Sequence, residues 1–173
     1  MADEFTIDSA EFKAFYKAMT KVDPEVKKSL RKRLMDAAKP IVEEVKQAEL
    51  NIPATREAGG TRKKKGQTLG LRASLANATK ADFNGTSKGA AVHIRVSTTK
   101  FMAASGRPRT IPYYMEGRRK RAWRHPVFGN RDVWVAQSGH PFLAPTVRAH
   151  KEKFAKEVTD AVMDALAAVT PIK

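Results

Sequence analysis

Cysteine is absent from the whole chain. Its absence removes disulfide staples, thiolate nucleophiles and thiolate metal ligation together, and it suits a reducing compartment. Long apolar runs are missing too, since none approaches the roughly 18 residues that a membrane-spanning helix requires. The acidic start MADEFTID has neither the basic nor the apolar region of a secretory signal. A soluble protein made in the cytoplasm, with no membrane partner, is therefore expected. Acidic residues are scarce, 18 against 33 Lys and Arg, for a formal net charge of +15. Such an excess suits phosphates or acidic protein surfaces as partners, or a solvated basic face.

Catalytic and cofactor motifs are equally thin. GxGxxG and GxxxxGK[ST] do not occur, and Gly59-Gly60 before the lysine run lacks the strand-before, helix-after context of a phosphate loop. The four histidines, His93, His125, His140 and His150, include no pair at the i, i+4 spacing of a helical zinc site. Ser138, His140 and Asp132 lie close in sequence, but no G-x-S-x-G elbow supports a nucleophile. No enzyme activity, no cofactor and no metal are expected.

What is present is a chain of a size and apolar content suited to one domain over residues 1–173, with 42% apolar residues and 8% aromatics. Asp8 and Glu11 make a capping-box start for a short helix carrying Phe12, Phe15, Tyr16 and Met19. Asp23-Pro24 opens a longer one, with Val26, Leu30, Leu34, Ala37, Ile41, Val45 and Ala48 on one stripe. Pro40 inside that stripe predicts a kink near Ala37 or a break before Pro40. Residues 51–68 turn to Gly, Thr, Pro and Lys and read as a long, flexible, basic loop. A short helix follows around Leu69, Leu71, Arg72 and Leu75. Val92, Ile94 and Val96 alternate with His93, Arg95 and Ser97 as a half-buried strand. After a turn-rich connection around residues 105–112 come a strand over residues 132–137 and a last helix opened by Pro145. That helix carries Val147, His150, Phe154, Val158, Ala161, Ala165 and Val169 on one face and stops at Pro171. The class is α+β, with long N-terminal and C-terminal amphipathic helices packed on a small β-sheet.

The densest stretch is AWRHPVFGNRDVWVAQSGHPFLAP, residues 122–145, which holds both tryptophans and three of the nine prolines. It reads as a turn, a short strand and a second turn, with Pro126 and Gly129 setting the first turn. Trp123, Phe128, Trp134 and Phe142 are candidate anchors for a protein contact, because aromatics at the centre of an interface supply most of its energy. For Trp134 and Phe142, flanked by apolar residues, packing in the core is the favoured reading. His125, Pro126, Val127, Gly129, Asn130, Gln137 and Pro141 complete the docking set, with His125 and Asn130 placed to bond exposed backbone. Two basic blocks flank it in sequence: Arg62, Lys63, Lys64 and Lys65, then Arg118, Arg119, Lys120, Arg121 and Arg124. Either block can neutralise phosphates, attract acidic protein surfaces or simply sit solvated on a loop, with a solvated or protein-facing role favoured, and only the second has aromatics nearby, Tyr113, Tyr114 and Trp123.

The order of parts resembles a family. EVKKSLRKRLMDAAKPIVEEVKQAE, a loop, LGLRASL, a strand, WRHPVFGNRDVWVAQ and HPFLAPTVRAHKEKFAKEV together look like the head–tail joining or tail completion proteins of long-tailed bacteriophages. HPVFGN, WVAQ and PFLAP carry most of the likeness. LGLRASL is similar to the family's threonine-glycine-leucine-arginine pattern, with Leu69 in the place of the threonine. The resemblance implies a small α+β component of the virion neck, at the head–tail interface, and no enzyme. It implies a homo-oligomeric ring, sixfold or twelvefold, meeting connector and tail terminator proteins and lying near the passing DNA. A nucleic-acid-binding protein that grips phosphates is the alternative from composition alone.

The lysine-rich loop leads to a first expected outcome. Brief trypsin treatment of the native protein should cut first at residues 62–65. Initial cleavage in the last helix would contradict this organisation.

Overall fold

The computed structural model describes residues 24–53, 70–86, 89–117, 123–127 and 130–169. The helix expected from Asp8, most of the 51–68 loop, the basic residues 62–65 and 118–121, and Phe128 with Gly129 lie outside the described residues.

Helix α1 (Pro24–Leu50) begins at a proline, whose fixed φ and missing N–H suit a first helical position. It buries Leu30, Leu34, Ala38, Ile41, Val42, Val45 and Glu49, a stripe at three- and four-residue steps. Of the two outcomes expected at Pro40, a kink near Ala37 or a break before it, the break does not occur. The helix runs through Pro40, which lies on the exposed side, where water can satisfy the carbonyl that a proline leaves without its N–H. Ile52, expected in an exposed loop, is buried just past the helix end.

Helix α2 (Leu71–Ala78) passes directly into β1 (Thr79–Thr86), which pairs antiparallel with β2 (Gly89–Val96) from Thr79↔Val96 to Thr86↔Gly89. Ile94 is buried, and Ala81, Phe83, Val92 and Val96 pack half-buried against the same core. The opposite face holds Asp82, which accepts hydrogen bonds from Lys80 Nζ at 2.8 Å and Arg95 Nε at 2.5 Å. Helix α3 (Thr98–Ser105) is capped by Ser97 Oγ, which accepts from the Lys100 N–H, and ends at Gly106 with φ +64°. Its Phe101 is wholly buried. The short α4 (Ile111–Met115) follows, then a second ribbon, β3 (Trp123–Val127) and β4 (Asn130–Gln137), and finally α5 (Leu143–Ala149) and α6 (Lys151–Val169).

The α+β class holds, with two differences in arrangement. The strands form two separate antiparallel ribbons rather than one small sheet. The C-terminal helical segment divides at His150, and α6 packs on α1, as do β1 and β2. Phe154, Val158, Ala161 and Ala165 line the buried face of α6. The ion pair Arg33–Asp164 joins the two helices at the surface, and a hydrogen bond of 2.7 Å between His150 Nε2 and Glu44 Oε2 ties the turn before α6 to α1.

Glu49 is the charged residue of the core, with no exposed surface. Its Oε1 accepts from Thr79 Oγ1 at 2.6 Å, while Oε2 is buried without a hydrogen-bond partner among the described residues. Burial raises its pKa from 4.5 to about 7; the nearby Glu116 charge adds to the rise, and the Thr79 bond opposes it. A carboxyl that holds its proton more tightly when folded imposes no penalty below its unfolded pKa and a full one above its folded pKa. Stability should therefore decline as pH rises from about 5 to 8. Glu49→Gln, which keeps an acceptor for Thr79 and removes the charge, should gain on the order of 2–3 kcal/mol at pH 8 and much less at pH 5. Urea unfolding at both pH values checks this, and an equal change at each would show that Glu49 is ionised throughout.

Candidate assembly interface

The second ribbon leaves the body and returns to it at one point. At the end of α4, the Glu116 carboxylate reaches across to the start of α5, where it accepts from the N–H groups of Phe142 at 3.0 Å, Leu143 at 3.0 Å and Ala144 at 2.8 Å. The first N–H groups of any helix lack intrahelical partners and carry partial positive charge. Phe142, the residue at the cap position, has no side-chain acceptor to offer, so Glu116 supplies one from 26 residues away. Beside it, the His140 N–H donates to the Met115 carbonyl at 2.7 Å.

Two glycines make the closure possible. Gly117 has φ +74°, a conformation costly for any residue with a Cβ. A Cβ on Gly139 would lie 2.4 Å from Gly117 Cα and 3.0 Å from the Tyr114 carbonyl oxygen, so the chain passes itself this closely only because Gly139 has no side chain. The Pro141 ring lies against Gly117. Together these contacts form a clasp at the base of the ribbon.

Above the clasp, β3 and β4 pair as Trp123↔Gln137, Arg124↔Ala136, His125↔Val135 and Pro126↔Trp134, and then jump to Val127↔Asn130. Residues 131–133 are the resulting bulge. Pro126, which has no N–H to donate to a ladder, stands at the edge of the irregularity. The bulge is tied internally: Asn130 Oδ1 accepts from the Asp132 N–H at 2.9 Å, and Trp134 Nε1 donates to the Arg131 carbonyl at 2.5 Å. Val133, Trp134 and Val135 are 50%, 46% and 41% exposed, and none of the described side chains of β3 and β4 belongs to the core cluster. A lone two-stranded ribbon is marginal in water, and consecutive exposed apolar residues of this size mark a contact surface.

Charge separates the same way. In the body, Arg33, Lys39, Lys46, Lys80 and Arg95 are paired with carboxylates. Lys100, Arg107, Arg109, Arg124 and Arg131 are exposed and have no carboxylate partner among the described residues. Residues 100–131 contain nine Lys and Arg and a single acidic residue, Glu116, already committed to the clasp.

The expected docking residues thus part company. Phe142, 3% exposed, is core and not an anchor, because it sits at the α5 start beneath the clasp. Trp134 reverses the expectation of core packing: its apolar neighbours in sequence are exposed with it. Pro126 lies in a strand and not in a turn, and Asn130 bonds backbone as expected, within its own bulge. Trp123, His125, Val127 and Gln137 are strand residues of the ribbon, Pro141 flanks the clasp, and Arg124 is exposed on β3. Glu116 escaped the sequence reading, because its partners lie 26 to 28 residues away and no local pattern joins them.

Elsewhere, a groove of about 330 Å³ between α1 and α6 is lined by Arg33, Asp36, Pro40, His150, Phe154 and Glu157 among others. Arg33 and Asp36 are already engaged in ion pairs and His150 in its hydrogen bond to Glu44, so the groove offers few free polar groups for a ligand. Among the described residues no cluster of three or more metal-ligating side chains occurs, and no helix is long and apolar enough to cross a membrane. Asp132, Ser138 and His140 are all exposed. Compared with family models, curated proteins and solved structures, the chain has no match.

The clasp can be tested directly. Glu116→Ala strips three helix-start N–H groups of their acceptor and should lower the unfolding free energy by about 2 kcal/mol, with Glu116→Gln losing roughly half as much. Gly139→Ala, which meets backbone and not a movable side chain, should cost at least as much. Urea midpoints followed by circular dichroism measure all three, and an unchanged midpoint for Glu116→Ala would mean that the clasp holds nothing.

Proposed function

We propose that this chain is a structural protein of the bacteriophage neck, a head–tail joining or tail completion protein that works by assembly and not by catalysis. On this reading it forms a homo-oligomeric ring, sixfold or twelvefold, and docks on the connector and tail terminator after synthesis in the host cytoplasm. The observation that carries the proposal is the clasped ribbon, which presents Val133, Trp134 and Val135 to solvent from a base fixed by Glu116. A rigid base under an uncommitted apolar edge suits docking, because little ordering remains to be done on binding. The order of sequence parts, from the basic amphipathic helix through HPVFGN and WVAQ to PFLAP, supports the same reading.

A second reading, phosphate contact with nucleic acid, is favoured by one observation, the five exposed cations with no carboxylate partner among the described residues. Binding of duplex DNA with a steep salt slope would support it.

Trp134→Ala in a phage carrying this gene decides the first reading. The purified variant should melt within about 0.5 kcal/mol of the parent, as expected for a surface residue. Electron microscopy of the lysate should show tailless capsids beside free tails. Normal infectious particles would remove the ribbon from the joining role.

A further inference from the structure

We infer that the ribbon accepts an extended acidic segment of a partner protein as a third strand along β4. The inference rests on the docking role proposed above and names the chemistry of what docks. Three observations favour such an occupant over nucleic acid or a second copy.

The first is the mixture of surface types. Arg124 and Arg131 are exposed, without carboxylate partners among the described residues, and they share the ribbon with Val133, Trp134 and Val135. A nucleic-acid backbone would satisfy the arginines and leave the valines facing water. An exposed aromatic beside arginines is the composition of a protein–protein contact.

The second is charge. A second copy brings another +15 and neutralises nothing. A segment rich in Asp and Glu supplies what residues 100–131 lack, where nine cations meet one committed carboxylate.

The third is the state of the two edges. β3 contains Pro126, so its edge lacks a donor, whereas β4 (NRDVWVAQ) has no proline and keeps every N–H. Two strands are marginal and three are far more stable, so an added strand completes the ribbon. The bulge at residues 131–133 limits regular pairing to the stretch from Trp134 to Gln137 and positions Val133 beside it.

Both tryptophans of the chain lie in the ribbon, so fluorescence reports on it directly. The full-length protein carrying Trp123→Phe, with Trp134 as the sole reporter, would be titrated with a peptide of about ten residues alternating Val and Glu, a length chosen to exceed a typical strand. The same titration would use a Val/Lys peptide, a Val/Glu peptide with a central proline, and a duplex DNA of similar charge. The Val/Glu peptide should shift Trp134 emission to the blue, and the Val/Lys peptide should not. Arg124→Glu with Arg131→Glu should weaken binding about tenfold, and the central proline should do the same by removing a ladder donor. Thermal melts of each variant confirm that the body is intact.

A blue shift with DNA and none with the Val/Glu peptide would overturn the inference in favour of a nucleic-acid surface. A shift that follows protein concentration alone would assign β4 to a second copy. No peptide response, together with tailless particles from Trp134→Ala, would leave the neck role standing and remove the acidic strand. A peptide response with normal particles would keep the strand-binding site and overturn the neck role.

Discussion

Burial of one face of α1 is the constraint that the rest of the described structure answers to. Neither ribbon has enough strands to build a core of its own, and α2, α3, α4 and α5 are each no longer than eight residues. Short helices and two-stranded ribbons do not hold themselves in water. The short helices and the first ribbon gain stability by covering part of a common apolar surface, and Leu30, Leu34, Ile41 and Val45 offer it along a single rigid rod. The stripe ends on Glu49, so its last turn buries a carboxyl where an apolar side chain would cost nothing to desolvate. That residue ties the stability of the body to pH.

Glu116 solves a different problem, how to let a long excursion leave a small core without loosening it. A carboxylate on three N–H groups is a charge-assisted cap, stronger than a neutral one. Because its partners lie at the far end of the excursion, the same bonds that cap α5 also close the loop. Gly117 and Gly139 allow the chain to pass itself at backbone contact. None of the described side chains of the ribbon above belongs to the core cluster.

Charge follows this division. The body pairs its lysines and arginines across neighbouring turns and strands, as Asp82 does with Lys80 and Arg95. From α3 through the ribbon, the described cations Lys100, Arg107, Arg109, Arg124 and Arg131 are exposed, and the ribbon also carries the exposed Trp134.

The sequence by itself determined the long helices, β2, β4 and the basic excess. Periods of 3.6 and 2 are written in residue types, and Leu30, Leu34, Ile41, Phe154, Val158 and Ile94 are buried where those periods put them. It did not reveal β1, whose TKADFNGT has low strand propensity and is a strand because β2 lies beside it. Nor did it show that Pro40 sits harmlessly on the wet side of α1. Only the tertiary structure decided that Phe142 is core and Trp134 is surface, since both have apolar neighbours in sequence. The difference is which of them the clasp leaves beneath the core and which it carries away. A contact across 26 residues has no local pattern, so Glu116 could be recognised only once the chain had closed on itself.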